Sequence, residues 1–297
     1  MRSLNRKQRR ANKTLKGVAV SKHRPLPDDF QEKFDRLAVL GGFAQHVSIA
    51  QTGQPTSTSG MLASAVFAKC CAHARSIGAI AIESPMFDHH AIMALARMIV
   101  EASTMIAYLL DPVSSDEWAL RHSVLRLHDT VGRIKLLRSY DQPSDDLRKG
   151  RDELKVDIIS NPNFQKIPEQ RRDRLLTGEE MFTIGMRSVA IKIMGWEEKQ
   201  FSGVYAYFSS HTHFAPMSFM RMEQHEIDYF YPSKTQTDIL SLSMEVAMAC
   251  LRRSLLRMID LRPEDIDAEY HPDVLARTRE EDAECPFFAK IAAGLAN

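Results

Sequence analysis

The sequence predicts an all-α protein, a bundle of long helices with shorter peripheral helices. Three observations support this prediction. Apolar residues recur at helical spacing along several long segments. Capping residues and proline or glycine positions bound those segments. The 297 residues contain no convincing run of alternating apolar and polar residues and no Asn-Gly hairpin signal.

In the N-terminal half, the pattern indicates four helices. The first is predicted to end at Gly41 and Gly42, because glycine favours a helix C-terminus. Residues 51–60 are rich in turn formers and predict a loop. Ser114 and Glu117 have capping-box spacing and open the fourth helix. The predicted helices span residues 28–40, 61–82, 85–110 and 115–140.

The C-terminal half continues the helical pattern with more interruptions. Pro216 prevents continuation of the preceding helix, and residues 214–232 are expected to be irregular. Ser233 or Thr235 caps a long apolar helix. The predicted helices span residues 143–159, 168–178, 179–194, 197–210 and 233–258, followed by one or two short helices in the tail.

The segment 85–110 is apolar nearly all round, which is typical of a membrane span or of the central helix of a bundle. Arg97 and Glu101 lie near its middle, where charged groups would be very costly in hydrocarbon. We therefore predict a buried central helix and no membrane partner.

Charge divides the chain into a basic arm (residues 1–27), a helical bundle domain (28–262) and a charged tail (263–297) with short helices. The arm has no acidic residue, whereas the rest of the chain has more acids than bases. Such an arm can contact RNA phosphates, lie on the acidic body, or keep the chain soluble. Its basic residues are Arg2, Arg6, Lys7, Arg9, Arg10, Lys13, Lys16, Lys22 and Arg24.

The overall composition is that of a globular protein. It has 44% hydrophobic and 26% charged residues, which excludes a disordered chain. Its four cysteines are too few for a disulfide scaffold and lack CxxC spacing. No apolar stretch follows the basic start, so no signal peptide is expected. We predict a cytoplasmic location.

The first candidate polar site lies on the predicted central helix. Arg97 and Glu101 are four residues apart and share a helix face, which Thr104 and Tyr108 continue. Because the helix is otherwise apolar, these groups are expected inside the protein or in a cleft. They line a pocket, or they form a structural ion pair that fixes the helix register.

The second candidate is catalytic. Arg121 and His128 are two helical turns apart and leave the same helix face. A guanidinium can stabilise charge on a phosphorane, and a neutral imidazole can take a proton from a ribose 2′-hydroxyl. The alternative is a solvated helix face, since Arg126, Asp129 and Arg133 are nearby.

The third candidate is the end of the helix over residues 197–210. Tyr205 and Ser209 share a face, and His211 and His213 follow. A metal site would need a third ligand, which His89, His90 or His225 can supply, but no spacing demands one. The sequence also lacks nucleotide-binding and di-iron motifs. We therefore predict no metal and no cofactor.

These motifs together resemble a bacterial all-helical family known only as a domain of unknown function. The pattern combines the Arg97–Glu101 helix, the segment Tyr108-Leu-Leu-Asp-Pro, and Tyr205 with Ser209 and a histidine. The resemblance covers residues 60–260, and it leaves open whether His211 or His213 takes the family position. It implies a helical fold and no particular activity.

Arg121-His122 followed by His128 is also similar to the signature of HEPN proteins, helical bundles that include metal-independent ribonucleases of toxin and phage-defence systems. The resemblance implies a homodimer, with Arg121 stabilising transition-state charge and His128 as acid or base. The alternative function is a non-catalytic binding or regulatory module with a polar pocket around Glu101 and His211. A third is a hydrolase that uses the histidines with a metal.

Overall fold

The computed structural model describes residues 28–82, 87–213, 215–265 and 272–288. It confirms the all-α class: the described residues form helices and no strand. The helices are α1 Asp28–Ala50, α2 Thr58–Ile82, α3 His89–Leu110, α4 Ser115–Ser139, α5 Asp145–Ser160, α6 Glu169–Leu176, α7 Met186–Val189, α8 Glu198–Thr212, α9 Pro216–Phe219, α10 Lys234–Leu261 and α11 Pro272–Ala283. The predicted basic arm, residues 1–27, lies outside the described residues.

The described residues divide between two compact units. Unit 1 takes its residues from Met1–Pro55, Ser64–Ser103 and Val204–Asp282. Unit 2 takes its residues from Thr56–Ala63, Thr104–Gly203 and Ala283–Asn297. Each unit draws on segments that are far apart in the sequence.

In unit 1, α1 packs along α10. Gln51 Nε2 donates to the Met258 carbonyl at 2.7 Å, and Lys33 pairs with Glu245 at 2.6 Å. The predicted end of the first helix at Gly41–Gly42 is wrong, because the helix continues to Ala50. Apolar side chains on this last part of α1 are buried, and their burial outweighs the weak helix propensity of glycine. They are Phe43, Ala44 and Val47.

In unit 2, α4 packs against α5 and α6 around a buried apolar cluster. Its members are Leu120, Val124, Leu127, Leu154, Ile158, Phe164 and Leu175. The predicted single helix over 179–194 is wrong. Residues 177–185 are irregular, and only the short α7 and a π-helical turn, Ala190–Met194, follow them.

Two glycines give that irregular segment its backbone conformation. Gly178 and Gly185 have φ angles of 72° and 79°, a backbone region that favours glycine. A Cβ atom on Gly178 would lie 2.7 Å from Val131, and one on Gly185 would lie 2.3 Å from Arg171. Neither position accepts a larger residue without local rearrangement.

Two of the predicted helix starts have their capping bonds. The Ser114 hydroxyl accepts from the Glu117 backbone at the start of α4. At the start of α10, Ser233 and Gln236 form a complete capping box. The Gln236 side chain is fully buried and also hydrogen-bonds to the Asp228 carbonyl at 3.1 Å, so it ties the preceding loop to α10.

Helix α3 is the apolar segment predicted as a central helix. Within the described residues it alone is long and apolar enough to cross a membrane by length and composition. Of its most apolar stretch, 61% is buried in the protein. This burial agrees with its prediction as a buried core helix.

Ion pairs join helix α11 to α10 in unit 1. Arg252 and Glu281 are 2.5 Å apart, and the adjacent Arg253 and Asp282 are 2.8 Å apart. Thr278 is the one buried residue of this helix in the part of the chain that is described. Ion pairs therefore outnumber buried apolar side chains along α11.

Candidate functional site

One connected polar network in unit 1 is centred on Arg97. Its Nε lies 3.0 Å from a Glu101 carboxylate oxygen, and its Nη2 donates to the Tyr205 hydroxyl at 3.2 Å. Tyr205 in turn donates to Glu101 at 2.9 Å. The Arg97 guanidinium also lies 5.2 Å from the Tyr205 ring centroid. The predicted grouping of Arg97 and Glu101 with Tyr205 therefore exists as a closed triangle.

His213 extends this network toward solvent. Arg97 Nη1 and His213 Nε2 are 2.9 Å apart. A guanidinium can only donate, so Nε2 accepts, and His213 is neutral with its proton on Nδ1. The His213 side chain is exposed. The outer edge of the Arg97 network is thus open to water.

His211 belongs to a second group of polar side chains, which is buried. Its Nδ1 lies 3.1 Å from His90 Nδ1, and the two rings stack with centroids 5.1 Å apart. The His90 ring is 3.9 Å from that of His89, whose Nδ1 is 3.4 Å from Gln236 Nε2. His211 and His213 therefore have different partners.

Burial keeps this histidine group neutral. It lowers the pKa of His89 and of His211 to about 4 in each case, with a further lowering from the neighbouring imidazoles. Burial also lowers the pKa of His90, against the raising effect of Asp88. Since both members of the His90–His211 pair are neutral, one Nδ1 carries the proton that the other accepts.

A cavity of about 250 Å³ adjoins His211 in unit 1. Its lining combines apolar side chains with hydroxyl, imidazole and charged groups, the mixture found in small-molecule sites. The lining residues are His89, Tyr207, His211, Met217, Ser218, Arg221, Met222, His225, Ile227, Thr235, Asp238 and Ile239.

Several polar groups in this lining have no hydrogen-bond or ionic partner among the described residues. The His211 Nε2 atom is buried and unpaired, although the Nδ1 of the same ring is bonded. The Tyr207 hydroxyl and the Arg221 guanidinium likewise make no such contact within the described chain. Burial raises the pKa of Tyr207, so its hydroxyl stays a proton donor. The cavity therefore holds unused hydrogen-bonding capacity.

Besides His211, two of the predicted pocket residues do not enter the Arg97 network through their side chains. Ser209 contributes its backbone carbonyl, which accepts from the His213 amide at 3.0 Å. Tyr108 lies in unit 2, fully buried, with its hydroxyl 3.0 Å from that of Thr183.

The structure gives Arg121 buried partners in unit 2. Its Nη1 donates to the Tyr108 carbonyl at 2.8 Å, and its other nitrogens bond Asp111 at 3.1 Å and Glu117 at 3.0 Å. The side chain is 5% exposed, and its guanidinium stacks 4.4 Å from the Tyr108 ring centroid. This arrangement is typical of a structural arginine.

His128 lies beside a separate cleft of about 440 Å³ in unit 2. Its Nδ1 is 2.9 Å from the Gly178 carbonyl, which can only accept, so the proton is on Nδ1. The structure shows no contact between His128 and Arg121, and Arg121 does not line the cleft. It does not bring the two predicted catalytic residues together.

Sequence reasoning missed Tyr207 and Arg221 of the cavity. Tyr207 precedes His211 by four positions on α8, so the two share a helix face. That spacing was an available signal. Arg221 had no such signal, because it lies among the irregular residues between α8 and α10. His90, which bonds His211, was named only as a possible metal ligand.

The described residues contain no group of three or more histidine, cysteine, aspartate or glutamate side chains placed to hold a metal ion. In comparisons with known proteins, no family model, no curated protein and no solved structure matches this chain.

Proposed function

We propose that this protein is a helical ligand-binding module and that its ligand occupies the cavity beside His211. The observation that carries the proposal is the buried His211 Nε2 atom, which has no partner in the described chain. A buried polar atom without a partner costs about 1–3 kcal/mol. A ligand that bonds this atom recovers that free energy.

The Arg97 network stabilises the end of α8, which carries His211. It connects α3 to the last turn of α8 through Tyr205 and His213, and His211 lies between these two residues in the sequence. The network therefore fixes the backbone that carries His211. In this proposal Arg97 and Glu101 are positioning residues, and the cavity residues contact the ligand.

The test is an NMR titration of the histidine side chains with three probes of similar shape: phenylacetate, phenylacetamide and phenethylamine. We expect at least one probe to shift the His211 imidazole resonances, and His211→Ala to abolish its binding. His73→Ala, which changes a histidine outside the cavity, is the matched control and should bind normally. If no probe perturbs His211, the proposal is wrong.

A second proposal keeps the ribonuclease hypothesis, because the tautomer of His128 leaves its Nε2 free to accept a proton beside a cleft. In this second proposal the chain forms a homodimer, and Arg121 stabilises either the bundle or the transition state. The basic arm contacts RNA, and the protein acts in the cytoplasm. The engagement of Arg121 by Asp111 and Glu117 weighs against direct catalysis by its guanidinium.

Incubation of the protein with total RNA in EDTA tests this second proposal. Cleavage that is lost in His128→Ala would support it. Arg126→Ala, on the same helix, is the control for nonspecific loss of a basic residue. Equal cleavage by parent and His128→Ala would show that the activity resides elsewhere or in a contaminant, and would overturn the proposal.

A further inference from the structure

The charges around the unit 1 cavity are unbalanced. Arg221 makes no ion pair with any described residue. The cavity's acidic residue, Asp238, is already paired with Lys234 at 2.8 Å. The remaining ionisable lining groups are histidines and Tyr207. An imidazole carries no negative charge, and neither does a phenol that keeps its proton. The cavity therefore offers one uncompensated positive charge.

The unused hydrogen-bonding groups of the cavity include donors. Tyr207 is a phenol and can donate to a ligand. When His90 donates its Nδ1 proton to His211, the His211 proton lies on Nε2, and this atom becomes a donor as well. In the opposite tautomer His211 Nε2 is an acceptor. A negatively charged ligand selects the first tautomer.

The lining also has an apolar part. The side chains of Met217, Met222, Ile227 and Ile239 belong to it. Methionine side chains adapt to ligands of irregular shape. A ligand that fills the cavity must therefore have an apolar body as well as a polar head group.

On the basis of the function proposed above, we infer that the ligand is a small organic carboxylate, with its head group toward Arg221, Tyr207 and His211 and its apolar body against the methionines. The carboxylate supplies the acceptor oxygens that these donors lack. The volume of about 250 Å³ restricts the body to one ring or a short aliphatic chain.

The three probes named above separate this inference from the function on which it rests. They share one ring and differ in head-group charge: phenylacetate is an anion, phenylacetamide is neutral and phenethylamine is a cation. Calorimetric titration should give the tightest binding for phenylacetate. If phenylacetamide or phenethylamine binds as tightly or more tightly, the ligand class is wrong although the binding function stands. If none binds, both proposals are wrong.

Variants locate the head group. Arg221→Gln should weaken phenylacetate binding about tenfold, the usual effect of losing a charged hydrogen-bond partner, and should leave phenylacetamide binding nearly unchanged. Arg75→Gln removes an exposed positive charge of unit 1 outside the cavity and should have no effect. An equal loss of affinity for both probes in Arg221→Gln would contradict the assignment of the carboxylate to this residue.

The His211 ring provides a second readout. Its two nitrogens have distinct ¹⁵N shifts, so the protonated one is identified directly in a long-range proton–nitrogen spectrum. Phenylacetate should place the His211 proton on Nε2, and the His90 proton on Nδ1. A bound state in which His211 Nε2 lacks a proton would overturn the proposed contact.

Discussion

Arg97 in unit 1 and Arg121 in unit 2 have the same kinds of partner in different surroundings. Each pairs with a glutamate four residues away on its own helix, at 3.0 Å in both cases. Each guanidinium also stacks near a tyrosine ring, at 5.2 Å for Arg97 and 4.4 Å for Arg121.

The two networks differ in what completes them. Arg121 adds a second carboxylate, Asp111, and a backbone carbonyl, so every edge of its guanidinium is held by fixed acceptors. Arg97 adds the Tyr205 hydroxyl and the exposed His213 imidazole, groups whose protons can move. The same motif therefore has different surroundings in the two units: fixed acceptors hold Arg121, whereas a hydroxyl and an exposed imidazole complete the Arg97 network.

The largest effect should come from Arg121→Ala. It leaves the Tyr108 carbonyl without its donor and two carboxylates without their cation. Breaking a buried pair in this way costs about 3–5 kcal/mol, and we expect a loss near the lower end because both carboxylates are partly exposed. Urea unfolding followed by circular dichroism measures it, with Arg126→Ala as the exposed control. A loss as small as that of the control would contradict the structural role.

Acid should destabilise unit 1 by a comparable amount. His89 and His211 have pKa values of about 4 in the folded protein against an ordinary value of 6.5, so the unfolded chain binds more protons between these values. Their contribution to stability is full above pH 6.5 and is lost as the pH falls toward 4. We expect a loss on the order of 2 kcal/mol for each histidine at pH 5.

Hydrogen exchange at pH 7.5 and pH 5 tests this expectation and sharpens the comparison. Amides of α8 and of the start of α3 should lose protection at pH 5 more than those around Arg121. His211→Asn should show a shallower pH dependence than the parent. A uniform loss of protection in both units would mean that these histidines are not the cause.

Arg97→Gln should have a smaller effect on stability than Arg121→Ala. Glu101 is 39% exposed, so water can solvate it once the cation is gone. We expect a loss of about 1–2 kcal/mol. The variant also removes the donor that fixes the His213 proton on Nδ1, so NMR should show a mixture of His213 tautomers. An unchanged tautomer would contradict the Arg97–His213 bond.

Tyr205→Phe should give the smallest effect. It keeps the ring near Arg97 and removes the hydroxyl that bridges Arg97 and Glu101, with an expected loss of about 1 kcal/mol in urea unfolding. Tyr140→Phe, at a position that is 70% exposed, is the control. If both variants have the stability of the parent, the hydroxyl bridge contributes nothing.

The sequence predicted the long helices well, because their apolar spacing and caps are local signals. It failed at Gly41–Gly42 and over residues 179–194, where tertiary packing decides the outcome. Burial of Phe43 and Val47 stabilises α1 beyond Gly41 and Gly42. Gly178 and Gly185 have positive φ angles and lie in an irregular segment that the pattern predicted to be helical.

The candidate site was predictable in part for the same reason. Arg97 and Glu101 share a helix face, and Tyr205 and Ser209 share another, so two halves of the site were visible. Nothing local indicated that His211 bonds His90 whereas His213 bonds Arg97. The cavity itself depends on residues 215–239, whose course is set by the buried Gln236 and its bonds to the loop.

The paired arginines that hold α11 have a consequence for how the protein responds to salt. Arg252 pairs with Glu281 and Arg253 pairs with Asp282, and the side chains of Arg252 and Asp282 are only 7% and 16% exposed. Mobile ions screen exposed ion pairs, whereas pairs shielded from water are screened much less. Raising the ionic strength should therefore leave α11 attached to α10, and a protease should cleave near the C-terminal end of unit 1 no faster at high salt than at low salt.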